Sequence, residues 1–87
     1  MGKDRQPDHV LKTRAPFFEQ VKRGDKTFEV RKDDRGFQVG DLLLLREWDH
    51  HDERFTGRGV GVEVAYKLDG GEFGVEAGYC VLGIELR

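Results

Sequence analysis

The feature that most constrains the fold is a strict alternation of residue types in the second half of the chain. Between residues 60 and 68 every second side chain is apolar: Val60, Val62, Val64, Tyr66 and Leu68. A period of two is typical of a β-strand that buries one face, and it does not fit a helix. We therefore expect a strand here, with Tyr66 packed among the valines in the core.

Other patterns predict a helix and four more strands. Pro16 suits a first helical turn and Gly24 suits a helix end, which favours a two-turn helix over residues 15–24. Residues 42–48 begin with four leucines and are typical of a central strand, although composition alone would also allow a helix. Strands are further expected at 9–12 and 27–31, and in a last segment that carries Cys80, Leu82, Ile84 and Leu86 on one face.

This order of elements predicts an α+β, mainly β fold. We expect a small β-barrel or strongly curved sheet of about five strands, with one or two short helices. Gly59 and Gly61 suggest a bulge or sharp bend, which small barrels need at their corners. Because 87 residues leave room for one core, we expect a loose tail at 1–7 and a single domain at 8–87.

Composition argues against several classes of protein. The single cysteine, Cys80, excludes a disulfide framework and a cysteine-based metal site, and a cytoplasmic location is expected. No apolar run is long enough to span a membrane, and residues 1–7 are too polar for a signal peptide. Net charge is only -2, but residues 1–35 hold ten Lys or Arg against seven Asp or Glu. This excess predicts a local basic surface for phosphate or nucleic acid.

A candidate binding segment follows the predicted helix. Phe28 and Val30 alternate with Glu29 and Arg31, so we expect the apolar pair to be buried and the charged pair to share the other face with Lys26 nearby. Two cations beside a carboxylate can bind a phosphate, while Glu29 orients them or accepts a proton. The alternative is a solvated surface pair of Glu29 and Arg31, worth under about 1 kcal/mol.

These residues carry a resemblance to a known family. The segment Gly24-x-Lys26-Thr27-x-Glu29-x-Arg31, followed by Phe37-x-x-Gly40-Asp41, resembles the ASCH family, which is related to the PUA domains of RNA-modifying proteins. An uncharacterised bacterial and phage branch of that superfamily is similar in three further motifs, His9-x-Leu11-Lys12, Lys32-x-Asp34-Arg35 and Gly78-Tyr79-x-Val81-Leu82. The similarity spans nearly the whole chain.

The resemblance implies a PUA-like β-barrel with a cleft between the first helix and the barrel. The family's lysine, glutamate and arginine correspond by position to Lys26, Glu29 and Arg31. Because ASCH domains are generally taken to bind RNA or nucleotides, the implied partner is RNA or a nucleotide-like ligand. We expect no cofactor and no metal. The full expected ligand-binding set is Lys12, Lys26, Glu29, Arg31, Arg35 and Tyr79.

Some ASCH proteins are enzymes, so the resemblance also implies an alternative. A ribonuclease or a modified-nucleoside amidohydrolase would use Lys26 and Glu29 as catalytic residues, and His9 is another candidate base. The amidohydrolase pattern has a threonine where this chain has Glu29, and Glu72 or Glu76 would have to serve as its downstream carboxylate. A third possibility is a protein adaptor without catalytic activity.

Two other groups of residues suggest ligands. Trp48 and Tyr79 could stack on exposed nucleobases, which contributes about 1–3 kcal/mol for each base. The segment 49–53 holds two histidines between acidic residues, but adjacent histidines diverge and lack the usual ligand spacing. We therefore expect a solvated hairpin tip there and no metal site.

Overall fold

A computed structural model describes residues 5–87 of the chain. Of the predicted loose tail, residues 1–4 lie outside the described residues, and residues 5–7 form neither helix nor strand. Arg5 donates hydrogen bonds to the Asp8 carboxylate (2.9 Å) and to the Gly40 carbonyl (2.7 Å). The chain is therefore in contact with the rest of the fold from Arg5 onward.

Five strands and a short helix follow one another in the predicted order. They are β1 (His9–Arg14), α1 (Ala15–Lys22), β2 (Phe28–Lys32), β3 (Leu42–Asp49), β4 (Arg54–Asp69) and β5 (Tyr79–Leu86). The prediction of a mainly β fold with about five strands and a short helix is confirmed. Over residues 5–87 we find no helix with the length and apolar character that a membrane crossing requires.

The strands form one mixed sheet in the order β1-β3-β4-β5-β2. β1 runs parallel to β3, with His9 opposite Leu43 and Arg14 opposite Trp48. The other neighbouring strands are antiparallel. The sheet curls into a half-barrel, and its two edge strands are β1 and β2.

The interior of the half-barrel is apolar because alternate residues of β3, β4 and β5 face inward. α1 contributes Phe18 and Val21, which are both buried. The helix has Pro in its first turn and ends before Gly24, whose φ of +86° is readily adopted by glycine. The fully buried residues of the three strands are Leu43, Leu45, Val62, Val64, Cys80 and Leu82.

A β-bulge in β4 changes the predicted position of Tyr66. Val64 pairs with Ile84 but Tyr66 pairs with Gly83, so Ala65 is an additional residue on β4. Val64 is fully buried, whereas Tyr66 is 65% exposed. The prediction that Tyr66 packs in the core is wrong, because the sequence keeps its alternation through a point where the pairing register shifts.

The predicted bulge at Gly59 and Gly61 is displaced. Both glycines pair in regular register with β3, and the irregularity lies between Arg46 and Trp48, near Gly57 with its φ of +94°. Gly59 instead permits close packing, since a Cβ there would lie 3.3 Å from the Leu44 Cδ1. At the end of the sheet Leu86, expected in the core face of β5, is half-exposed.

Candidate functional site

The edge strands β1 and β2 are joined by side chains. Arg31 on β2 donates from Nη2 to the Lys12 carbonyl (3.0 Å) and to the Thr13 hydroxyl (3.1 Å), both on β1. Arg35 donates from Nη1 to the Val10 carbonyl (3.0 Å). We call this junction the seam. Two guanidinium groups therefore occupy the place where a barrel would have a further ladder of backbone hydrogen bonds.

Glu29 forms the centre of an ionic network at the seam. Glu29 is 5% exposed, and its carboxylate lies between two cations that are themselves mostly covered. Oε2 accepts a hydrogen bond from Lys26 Nζ at 2.7 Å, and Oε1 accepts one from Arg31 Nη2 at 3.0 Å. Glu29, Lys26 and Arg31 thus form an enclosed triad and not the solvated surface pair that was the alternative. Charge-assisted hydrogen bonds in such a triad are stronger than those of an exposed pair.

The faces of β2 are the reverse of those expected from its sequence. Glu29 is buried on the side of β2 that faces the interior, whereas Phe28 is 45% exposed and Val30 is 54% exposed on the opposite side of this strand. The seam explains this reversal, because it lacks a backbone ladder and is closed by hydrogen bonds from inward polar groups such as Arg31. The apolar pair of this edge strand therefore faces outward.

A cleft opens along the seam. We call it the seam cleft, and its volume is about 440 Å³, within the range of about 300–1,000 Å³ that is common for small-molecule sites. Four lining side chains are cationic and one is a carboxylate, which leaves three positive charges at the cleft. Its residues are Lys12, Thr13, Arg14, Phe17, Lys26, Phe28, Glu29, Val30 and Arg31.

The structure brings together most of the predicted ligand set and adds residues that the sequence did not indicate. Lys12, Lys26, Glu29 and Arg31 all line the seam cleft. The added aromatic residues are Phe17, from the first turns of α1, and Phe28, and both are nearly half-exposed. An apolar residue normally predicts burial, and only the position of β2 at an edge reveals that Phe28 faces a cleft.

Other predicted residues lie outside the seam cleft. Arg35 bonds β1 at the seam without lining the cleft. Tyr79 lines a separate depression, which it shares with Glu76. His9 is at the far end of β1, where its Nε2 lies 3.1 Å from the Asp41 carboxylate and its ring packs edge-on against Phe37. Glu72 is exposed in the loop before β5.

A second buried glutamate, Glu47, has a different environment. It lies on the inner face of β3 and accepts a hydrogen bond from the Thr56 hydroxyl at 2.7 Å. Arg58 approaches it at 3.5 Å and pairs with Glu19 of α1 at 3.2 Å. Glu47 therefore connects the β3–β4 hairpin to the helix through Arg58. It does not line the seam cleft.

A third ionic cluster is formed by Lys67 of β4 and Asp33, and it does not line the seam cleft. Lys67 Nζ is 2.9 Å from Asp33 Oδ2 and donates to the Phe37 carbonyl at 3.1 Å. Its bond to Asp33 raises the pKa of Lys67 above the ordinary value of 10.5, and burial opposes this effect.

Burial raises the pKa of the Cys80 thiol above 9.0, and the nearby charge of Asp33 raises it further. Cys80 is accordingly a weak nucleophile at neutral pH.

The histidine-containing segment forms the turn of the β3–β4 hairpin. The Asp49 carboxylate accepts hydrogen bonds from the backbone N–H groups of His51 (2.9 Å) and Asp52 (3.0 Å). The bond from Asp52 is the largest cause that holds the pKa of Asp49 below its ordinary value. Asp49 thus stabilises the turn, and both histidines are exposed.

Comparison with known proteins relates this chain to others without a known activity. A family model described as "Domain of unknown function (DUF3850)" matches residues 8–84. An "Uncharacterized 12.9 kDa protein in GpA 3'region" of Escherichia phage P2 is 41% identical over 61 residues, which cover 70% of this chain and 54% of that protein. The chain thus spans about half the length of this relative. The resemblance to the ASCH family remains a prediction.

Proposed function

Since the chain belongs to the DUF3850 family, a domain of unknown function, we propose its function from the geometry of the seam cleft: it binds RNA or a nucleotide-like ligand there. The observation that carries the proposal is the combination of four cations with two half-exposed phenylalanines around one cavity. A nucleotide has the complementary combination of an anionic phosphate and a planar base.

The phosphate is expected to lie between the two walls of the cleft. Lys12 and Arg14 are on the β1 side, and Lys26 and Arg31 are on the β2 side. Glu29 neutralises one charge and fixes the positions of Lys26 and Arg31 through its two oxygens. The remaining positive charge favours an anion, and the arginine guanidinium groups suit phosphate oxygens in particular.

The base is expected on the aromatic side of the cleft. Lys26 Nζ lies 4.7 Å from the Phe28 ring centre and 5.8 Å from that of Phe17, so one cation lies beside both rings. A base that stacks on either ring therefore brings its own phosphate within reach of Lys26. Stacking of this kind contributes about 1–3 kcal/mol for each base and tolerates different bases.

Binding is a better fit to this geometry than catalysis. Both oxygens of Glu29 already accept hydrogen bonds from cations, so a substrate proton would have to displace one of them. His9, the other candidate base, is engaged with Asp41 outside the cleft. The alternative is a hydrolase of RNA or of a modified nucleoside that uses Lys26 and Glu29. This alternative predicts that the protein hydrolyses RNA or a modified nucleoside and that Glu29→Gln abolishes the hydrolysis.

The proposal is tested by calorimetric titration with a nucleoside 5'-monophosphate and with the nucleoside that lacks the phosphate. We expect the monophosphate to bind more tightly and to weaken as salt is raised. Lys26→Ala is expected to weaken it about tenfold, which corresponds to about 1.4 kcal/mol. Lys22→Ala is the matched control, because Lys22 is exposed on α1 and does not line the cleft.

Three results would contradict the proposal: absence of binding, affinity that is independent of salt, or equal loss in the Lys26→Ala and Lys22→Ala variants. Incubation of the same protein with labelled RNA and with acylated nucleosides separates binding from hydrolysis. Product formation that disappears in Glu29→Gln would favour the enzyme. Unchanged substrates would favour the binding module.

A further inference from the structure

The outer face of the sheet beside the cleft carries interleaved basic and aromatic side chains. The strand register places Lys12 opposite Arg46, and Trp48 opposite Phe55. Lys12 Nζ lies 4.1 Å from the Trp48 ring centre, and the Arg46 guanidinium lies 4.0 Å from that of Phe55. The two rings meet edge to face at 5.0 Å. With Arg14, which is opposite Trp48, these residues form what we call the outer face.

Within the part of the chain that the structure describes, the cations of the outer face have no acidic partner. Lys12, Arg14 and Arg46 are exposed, and over residues 5–87 none of the three forms a salt bridge. The chain holds 17 Asp and Glu residues, so carboxylates are not scarce. The acidic residue between Arg46 and Trp48 is Glu47, and it is buried on the opposite side of the sheet.

The outer face is continuous with the seam cleft. Lys12 and Arg14 belong to both, because β1 forms the edge of the cleft and the first strand of the outer face. From β1 the face extends over β3 to Phe55 on β4, which is two strand spacings or about 10 Å. A ligand that fills the cleft and continues in this direction reaches Arg46 and the rings of Trp48 and Phe55.

We propose that the outer face extends the binding site, so that the ligand is a single-stranded nucleic acid of several nucleotides. This inference rests on the proposed function of the seam cleft. One nucleotide occupies the cleft, and the next ones cross β1 towards Trp48 and Phe55. Phosphates bind Lys12, Arg14 and Arg46, and a base stacks on Trp48.

The existing contacts favour this ligand over a duplex. Stacking on Trp48 requires an unpaired base, which replaces the Lys12 ammonium on the ring while that ammonium moves to a phosphate. A paired base would leave both rings unused. Because phosphate contacts and stacking are largely independent of sequence, we expect little preference among bases.

Trp48 is the single tryptophan of the chain, so its fluorescence reports directly on the outer face. The experiment titrates the full chain with a nucleoside monophosphate and with oligouridylates of two, four and eight nucleotides. We expect affinity to rise about tenfold or more from the monophosphate to the longer oligomers, and only the oligomers to quench Trp48. Oligothymidylates of the same lengths show whether the 2'-hydroxyl contributes.

Variants separate the outer face from the cleft. Arg46→Glu is expected to weaken octanucleotide binding about tenfold or more and to leave monophosphate binding within about twofold. Trp48→Phe keeps a ring for stacking, and Trp48→Ala removes it, so oligonucleotide affinity is expected to fall in the second variant only. Circular dichroism confirms that each variant is folded, and Lys22→Ala serves as the control for loss of a distant charge.

The two proposals fail in different ways. Equal affinities for the monophosphate and the oligomers, with no quenching of Trp48, would overturn the outer face and leave the cleft intact. A second result is that the monophosphate does not bind and that oligonucleotides quench Trp48 equally in Lys26→Ala. It would show that no nucleotide occupies the seam cleft, and it would overturn this inference as well. Sedimentation with phosphatidylserine vesicles, without binding of any oligonucleotide, would overturn the inference in favour of a membrane surface.

Discussion

The two sides of the half-barrel are held together in different ways. The wall, formed by β3, β4 and β5, is joined by antiparallel ladders of backbone hydrogen bonds, each with one register shift, over an interior of leucine and valine. The seam between β1 and β2 is joined by side-chain hydrogen bonds from Arg31 and Arg35, around a buried carboxylate. The wall therefore supplies most of the hydrophobic stabilisation, while the seam supplies the charges and the open cavity of the candidate site.

The two buried glutamates differ in the same way, because one lies in the wall and the other at the seam. Glu47 belongs to the wall and accepts its closest hydrogen bond from a neutral hydroxyl, whereas Glu29 belongs to the seam and accepts hydrogen bonds from two cations. Burial alone thus does not identify a functional carboxylate. The cations around Glu29 also line a cavity, and that second property distinguishes it.

The largest expected effect tests the wall. Leu45 is fully buried, so Leu45→Ala is expected to lower the free energy of unfolding by about 2–5 kcal/mol through lost burial and a residual cavity. Urea denaturation measures this change. Leu86→Ala is the matched control and is expected to cost about 1 kcal/mol or less, because Leu86 is half-exposed. Similar losses in the two variants would contradict the view that the buried interior of the wall supplies most of the hydrophobic stabilisation.

An intermediate effect tests the seam. Glu29→Gln keeps the shape of the side chain but removes the charge that Lys26 and Arg31 surround, so we expect a loss of about 1–3 kcal/mol in unfolding free energy. A bound monophosphate would replace the missing negative charge. Its stabilisation of the protein, measured as a rise in Tm, should therefore be larger in Glu29→Gln than in the unmodified chain.

Glu47→Gln is the control for this prediction. It removes the charge of an equally buried glutamate that does not line the cleft, so the ligand should raise its Tm by the same amount as in the unmodified chain. A larger ligand effect in Glu47→Gln than in Glu29→Gln would show that the anion does not bind beside Glu29.

The smallest expected effect is a decline in stability at alkaline pH that originates in the wall. The folded-state pKa of Lys67 is raised above 10.5 by Asp33, so its contribution is complete below about pH 10.5 and is lost as pH rises through the folded value. The raised pKa of Cys80 acts in the same direction and begins near pH 9. We therefore expect Tm to fall above about pH 9.

Thermal unfolding between neutral and alkaline pH measures this decline. The decline should be shallower in Lys67→Met, which lacks the titrating ammonium, and in Cys80→Ala, which lacks the thiol. If both variants reproduce the profile of the unmodified chain, the alkaline sensitivity originates outside the Lys67 and Cys80 environment.

The sequence predicted the strands well because the wall obeys simple alternation. Alternate residues of β3 and β4 face the core, and the helix ends before Gly24. The buried ones are Leu43, Leu45, Val62 and Val64. The prediction failed where pairing changes locally. One extra residue at Ala65 turns Tyr66 outward, and no residue type in this segment marks the bulge.

The candidate site was only partly predictable for a related reason. The motif around Lys26, Glu29 and Arg31 indicated the correct side chains, but it placed Phe28 and Val30 in the core. Which face of β2 is buried depends on its position at the edge, and this position follows from the strand order of the whole sheet. Phe17 and Phe28 therefore became visible as candidate ligand contacts only in three dimensions.

The bonds of Arg31 and Arg35 also bear on self-association. An exposed strand edge offers unpaired backbone groups on which another chain can add a strand. Along β1 these two guanidinium groups occupy the carbonyls of Val10 and Lys12, the alternate acceptors that an incoming strand would need. The two arginines that close the seam thereby also protect this edge of the sheet from pairing with a second copy of the chain.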